Sequence, residues 1–116
     1  MTPEDLTLTT EMRAESTVLH VAGELDLSTV AAFDTELERA LALGRVVVVL
    51  SDCTFIDSSA LQSLVRAHRA ARTPEQNEAL VLVAPSQPAR RVLEIAALDR
   101  LVPMFDTLDD ALAFKA

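Results

Sequence analysis

Val46-Val47-Val48-Val49-Leu50-Ser51-Asp52-Cys53-Thr54-Phe55-Ile56-Asp57-Ser58-Ser59-Ala60-Leu61 is the stretch that decides the fold. It opens as an unbroken apolar run, passes through a short polar turn, and enters a helix. Five apolar residues without polar alternation predict a strand covered on both faces, and so an α/β sheet with this strand near its middle. The end of such a strand is a fixed platform. Directly beyond it stand one carboxylate, Asp57, and two hydroxyls, Ser58 and Ser59, followed at helical spacing by Leu61, Leu64, Val65 and His68. Ser59 and Gln62 have the capping-box separation, in which the hydroxyl accepts a helix N–H and the amide side chain reaches back. That leaves Ser58 just outside the first turn, facing solvent beside Asp57. The same three residue types are also preferred at helix entrances on structural grounds alone.

Upstream, residues 6–12 alternate, with Leu6, Leu8 and Met12 on one face. After a break at Glu15-Ser16 the strand pattern resumes over 17–22, which predicts an antiparallel hairpin at a sheet edge. Gly23, one of only two glycines, ends the second strand where the backbone turns sharply or another group approaches closely. Ser28 or Thr29 caps a helix with Val30, Phe33, Leu37, Ala40 and Leu41 inward, Asp34, Glu36, Glu38 and Arg39 outward, and Gly44 at its close.

Downstream, the second helix runs to about Ala71. Arg66, Arg69 and Arg72 complement its macrodipole and read either as a solvated face or as a basic patch. Residues 73–77 form a loop, and 79–84 form a second covered strand stopped by Pro85. Residues 86–98 read as a third helix with Pro88 in its first turn and Val92, Leu93, Ala96 and Ala97 inward. A short edge strand lies within 101–105, and Asp106 or Thr107 caps a last helix carrying Leu108, Ala111, Leu112 and Phe114. With no internal repeat or linker, a single domain over 1–116 is expected.

Composition narrows the function. At 116 residues the chain is long enough for one core without a stapling metal or disulfides, and half of it is hydrophobic. Eighteen acidic against ten basic residues give a net charge of -8, which argues against a nucleic-acid partner and favours a protein with a basic surface. A single cysteine fits a reducing compartment, and Cys53 reads as a packed thiol. The first five residues carry no signal-peptide pattern, and no apolar segment approaches the ~20 residues of a membrane span, so a cytoplasmic protein without membrane insertion is expected.

Two glycines supply no phosphate-cradling loop, and His20 and His68 lack the spacing of a metal pair. No cofactor and no metal are expected. A serine hydrolase would need Ser58 to find a base through a tertiary contact.

Residues Phe55-Ile56-Asp57-Ser58-Ser59-Ala60-Leu61, after a hydrophobic strand, resemble the signature loop of the STAS domain family, specifically its stand-alone anti-sigma factor antagonists, in which the loop reads Asp-Ser-Ser/Thr-Gly-Leu. Gly23-Glu24-Leu25-Asp26 resembles the Gly-Glu-Leu/Ile-Asp turn that members carry between the second strand and the first helix. The order and spacing agree over nearly the whole chain. The resemblance implies an α/β fold with a STAS-like mixed β-sheet of four to five strands, the first two an antiparallel hairpin, and about four helices packed on it.

It also implies a non-enzymatic binding module. The unphosphorylated form would bind a cognate anti-sigma factor with serine kinase activity and release the sigma factor, and phosphorylation of Ser58 would switch it off. Asp57 would orient the hydroxyl, Ser59 would cap and flank it, and Ala60, Glu24 and Asp26 would complete the partner-binding surface. Two positions depart from the family pattern. Ala60 stands where Gly is usual, limiting how closely a partner backbone approaches, and Val49 stands where many members have Asp. The alternatives are an accessory subunit of a membrane transport complex that binds an ATPase through the same face, and a small serine-dependent enzyme.

Overall fold

The computed structural model describes residues 6–71, 79–84 and 89–114. Strands β1 (Leu6–Arg13) and β2 (Ser16–Leu25) form the expected antiparallel hairpin, with Leu6 opposite Gly23 and Arg13 opposite Ser16. Its turn is Ala14-Glu15, both left-handed at φ 50 and 64, the backbone twist that suits a two-residue hairpin although neither residue is the usual Asn or Gly. Then follow α1 (Val30–Leu43), β3 (Val46–Ile56), α2 (Ser58–Ala71), β4 (Leu80–Val83), α3 (Ala89–Ile95), a 3-10 turn (Leu98–Arg100), β5 (Met104–Phe105) and α4 (Leu108–Ala113). The sheet has five strands in the order β1-β2-β3-β4-β5, and β2 through β5 run parallel. The valine-rich strand is therefore at the centre.

Both faces of that strand are covered, which is why its sequence does not alternate. Val46, Val48 and Leu50 face a core built with Phe33 and Leu37 of α1, Leu64 of α2 and Leu93 of α3. Val47 and Val49 join Val18, Val81 and Val83 under α4, where Ala111, Leu108, Leu112 and Phe114 close the layer. Each fully buried Val, Leu or Phe among them contributes roughly 1.5–3 kcal/mol by leaving water.

The polar segment expected as a turn is instead strand: β3 continues to Ile56. Its pairing with β2 slips twice, so that His20 faces Val49, Ala22 faces Asp52, Gly23 faces Cys53 and Glu24 faces Phe55. The two bulges place Leu50, Cys53 and Ile56, three residues apart, in the same helix-covered core, a spacing that strict alternation forbids.

Other expectations also change. Met12 is 62% exposed instead of sharing the inward face with Leu6. Helix α3 ends at Ile95, and Ala97 turns left-handed at φ 60, so Ala96 and Ala97 lie exposed while Leu98 takes the inward place. Thr107 is the cap of α4, its hydroxyl accepting the Asp110 N–H at 3.1 Å. Arg72, the 73–77 loop, Pro85 and the first residues of the expected third helix lie outside the described residues.

Candidate functional site

Asp57 is the first residue beyond the central strand. Its N–H donates to the Leu25 carbonyl at 3.2 Å, extending the β2–β3 pairing one step. Its carboxylate then does two things. Oδ1 accepts the N–H groups of Ser59 and Ala60 at 2.9 and 3.2 Å, while Oδ2 accepts the Leu27 N–H at 3.1 Å. Asp57 is thus the N-cap of α2 and also the clamp on the β2–α1 loop. The expected Ser59–Gln62 capping box is corrected: a helix entrance takes one cap, and the Asp57 carboxylate, standing one position before the helix, already holds the amides that a Ser59 cap would precede.

Ser58 is consequently the first helical residue, and it is exposed. Its hydroxyl has no hydrogen-bond partner among the described residues. Ser59 is half-buried beside it. Ala60 is fully buried and packs in the helix-side core, so its expected contact with a partner is corrected to a packing role. The physical reason is the helical phase: a residue two positions after an outward-facing Ser58 points about 200° around the axis, into the sheet.

The second motif is closed by its own hydrogen bonds. Gly23 adopts φ 106, the left-handed region that glycine enters without strain. Asp26 Oδ1 accepts both the N–H and the hydroxyl of Ser28, at 2.9 and 2.7 Å. The Asp26 N–H donates to Thr29 Oγ1 at 2.9 Å, and the Thr29 hydroxyl donates to the Glu24 carbonyl at 2.8 Å. Thr29 is fully buried, so it sits at the start of α1 as the latch of this loop and makes no side-chain cap to the helix. The Ser28 hydroxyl, opposed by some desolvation, holds the Asp26 carboxyl below its ordinary range.

Glu24, Asp26, Asp57 and Ser58 thereby gather at the carboxyl ends of the neighbouring parallel strands β2 and β3. Two large apolar side chains to which the sequence reading gave no role belong to the same edge. Leu27 is 76% exposed and Phe55 is 48% exposed. The signal for Phe55 lies in its register opposite Glu24, a solvent-facing position. Beneath the edge, Cys53 is buried with its thiol toward the Phe55 carbonyl at 3.2 Å, and burial pushes its pKa up. Val49 is buried in the layer under α4, away from the cluster that holds Cys53, Ile56 and Ala60, so the charge of the site is set by Glu24, Asp26 and Asp57.

The histidines belong elsewhere. His20 Nε2 meets Glu11 Oε2 at 2.7 Å on the open face of the hairpin, and His68 is buried on α2. Among the described residues no group of three or more His, Cys, Asp or Glu could hold a metal ion, and no helix is long and apolar enough to cross a membrane.

A five-stranded mixed sheet led by an antiparallel hairpin, with a capped Asp-Ser-Ser entrance at the end of its central strand, is the architecture of a STAS domain. The STAS domain family profile matches residues 7–111. Over 115 residues, covering 95% of this chain and 89% of the relative, the chain is 33% identical to the anti-sigma-F factor antagonist RsfB of Mycobacterium tuberculosis. A crystal structure of an anti-sigma factor antagonist from Mycobacterium paratuberculosis superposes with a TM-score of 0.86 at 28% identity, covering 96% of this chain and 94% of that one. The unphosphorylated anti-sigma factor antagonist SpoIIAA shares the fold, with a TM-score of 0.69 at 23% identity over 91% of this chain and 93% of that one. The chain belongs to the STAS domain family, and the relatives it matches are anti-sigma factor antagonists.

Proposed function

We propose that this chain, as one STAS domain, is a cytoplasmic anti-sigma factor antagonist. In its unphosphorylated form it binds a cognate anti-sigma factor that is also a serine kinase, so releasing the sigma factor, and phosphorylation of Ser58 ends that binding. The observation that carries the reading is the Ser58 hydroxyl: exposed, without a partner among the described residues, and held in a fixed position by the Asp57 cap on a rigid strand. A kinase substrate needs those properties and a surrounding surface for the kinase to grip. A nucleophile needs a base, and the reading as a substrate requires none.

Charge supplies the switch. A phosphate adds about -1.5 to -2 charges at neutral pH and three acceptor oxygens. It would stand beside Asp57 and near Glu24 and Asp26, on a chain already at -8, so a partner adapted to a neutral hydroxyl meets a new cluster of like charge. A penalty of ~1.4 kcal/mol already reduces affinity tenfold. Glu24 and Asp26 form the partner-facing rim, Ser59 flanks the hydroxyl, and Asp57 positions it through the backbone it caps.

The test is to incubate the chain with its anti-sigma factor and ATP and locate the modification by mass spectrometry. A single phosphate on Ser58 is expected; modification of Ser59, or of no residue, overturns the assignment. Binding of the anti-sigma factor should survive Ser58→Ala and fall at least tenfold in Ser58→Asp, and equal binding by both variants overturns the electrostatic switch.

A further inference from the structure

Helix α2 carries more than Ser58 on its outer side. Leu61, Val65 and Arg69 follow Ser58 along one stripe, at separations of three, four and four residues, with Arg66 beside them. Across from this stripe, beyond the end of α3 at Ile95, the left-handed Ala97 sends the chain into its 3-10 turn. A groove of about 390 Å³ lies between the two elements, lined by the apolar Leu61, Val65, Ala96 and Leu98 and by Arg66 and Arg69. Ile95, next to Ala96 in the sequence, is 75% exposed.

The charge of this groove is opposite to that of the molecule. The chain as a whole stands at -8, and the Ser58 edge adds Glu24, Asp26 and Asp57, yet the charged groups lining the groove are two arginines. Arg66 is paired within the fold and Arg69 is not. Arg69 makes no hydrogen bond or ion pair among the described residues. Arg66 uses a single nitrogen, Nη2, at 3.3 Å from the Ser63 hydroxyl and 3.5 Å from Asp34, and stays largely solvent-exposed. Leu61 and Val65 pack in part against the core and keep part of their surface in the groove.

We infer that the groove between α2 and the 3-10 turn is a second docking surface for the anti-sigma factor and receives an amphipathic helix with an acidic edge. The inference rests on the proposed function and names the chemistry of the partner segment. From Ser58 to Arg69 the helix rises about 17 Å, room for a partner helix of roughly three turns laying apolar residues at i, i+3, i+4 and i+7 on Leu61, Val65 and Ala96. Acidic residues on its flank reach Arg66 and Arg69. The groove is continuous with Ser58 along the same helix, so one partner can cover both. Phosphate at the Ser58 end then repels a ligand that remains attracted at the Arg69 end.

The test uses titration calorimetry of the cognate anti-sigma factor against the full chain, an Arg66→Glu/Arg69→Glu variant and an Ala96→Glu variant. Ala96 is exposed, so its replacement puts an acid into the groove without disturbing the core. Both variants should weaken binding tenfold or more at low salt, and the difference from wild type should shrink as salt rises. Thermal unfolding should confirm that both remain folded. Affinities within twofold of wild type overturn the groove assignment. So does a variant that changes only self-association in sedimentation, because the occupant would then be a second copy of this chain. If the wild-type chain itself fails to bind the anti-sigma factor, the proposed function falls, and the groove inference falls with it. The fold-loss caused by Ser58→Asp, measured in the wild-type and charge-reversed backgrounds, should be similar.

Discussion

Replacing Asp57 with alanine tests the joint between the two motifs. The substitution deprives the Ser59 and Ala60 amides of their acceptor at the entrance of α2, and it frees the Leu27 amide of the β2–α1 loop. Loss of an N-cap carboxylate costs about 1 kcal/mol. The Leu27 contact is exposed, so water replaces most of it and its loss adds only ~0.5 kcal/mol. Together these give about 1.5 kcal/mol, which for a domain of this size lowers the melting temperature by roughly 6 °C. Urea unfolding followed by circular dichroism at constant slope measures the first figure. Asp57→Asn keeps one oxygen for the helix amides but turns an NH2 toward Leu27, so it should lose about half as much. Amide exchange gives an independent readout: the Leu27, Ser59 and Ala60 N–H groups should exchange faster in Asp57→Ala, while the Asp26 N–H, bonded to Thr29 Oγ1, should not. An Asp57→Ala stability within ~0.3 kcal/mol of wild type, or unchanged exchange at Leu27, would refute the clamp.

Arg45 reaches across the sheet to the last helix, with Nη1 at 3.0 Å from the Ser16 hydroxyl and Nη2 at 2.8 and 2.9 Å from the Ala111 and Phe114 carbonyls. Arg45→Met should cost about 2 kcal/mol and loosen α4 first, so uniform exchange across α4 and the central strands would contradict that role. The Cys53 thiol, buried and with its pKa raised, should resist a disulfide reagent at mildly alkaline pH and react stoichiometrically once the chain is unfolded in guanidinium; rapid reaction of the native protein would show that the edge above it opens. Asp26 is held below its ordinary value of 3.8, so the folded state binds fewer protons there than the unfolded state as pH falls through the carboxylate range. Its contribution is therefore present above that value and lost on acidification, and wild type should lose stability relative to Asp26→Asn between about pH 5 and pH 2; parallel curves would refute it.

How far the sequence carried these conclusions depends on how local each determinant is. The covered central strand was legible because Val46–Val49 and 80–83 lack alternation, and only burial on both faces explains such runs in a chain with no membrane-length segment. The hairpin was legible from its two strand patterns although Ala14-Glu15 carries no turn signature. Residues 51–54 were misread because two bulges replace a period of two by a spacing of three, which no simple template scores. Ala96 and Ala97 were placed inward because the helical pattern runs on through them, while the turn that ends α3 is set by a left-handed alanine that propensity disfavours. Within the site, residue types were readable and partners were not. Asp57 caps α2 and holds Leu27 thirty residues away, a contact that no local spacing encodes. The exposure of Leu27 and Phe55 at this closure is likewise set by tertiary pairing, with Phe55 opposite Glu24 of β2.

That closure bears on what a phosphate at Ser58 can do. A bare helix N-terminus offers its first amides to an anion, and a phosphate there would be drawn in and would stabilise the fold. Here Asp57 already occupies the Ser59 and Ala60 amides, so the group would keep only the diffuse pull of the dipole, worth ~0.3–1 kcal/mol, against repulsion from the adjacent carboxylate of similar size. The two nearly cancel, and the phosphate would stand out in solvent as a change of surface charge. Phosphorylated and unphosphorylated chains should therefore unfold within ~0.5 kcal/mol of one another in urea while differing at least tenfold in affinity for the anti-sigma factor. A phospho-form stabilised by more than ~1 kcal/mol would mean that the phosphate has displaced Asp57 from the helix amides, releasing Leu27 and changing the shape of the edge as well as its charge.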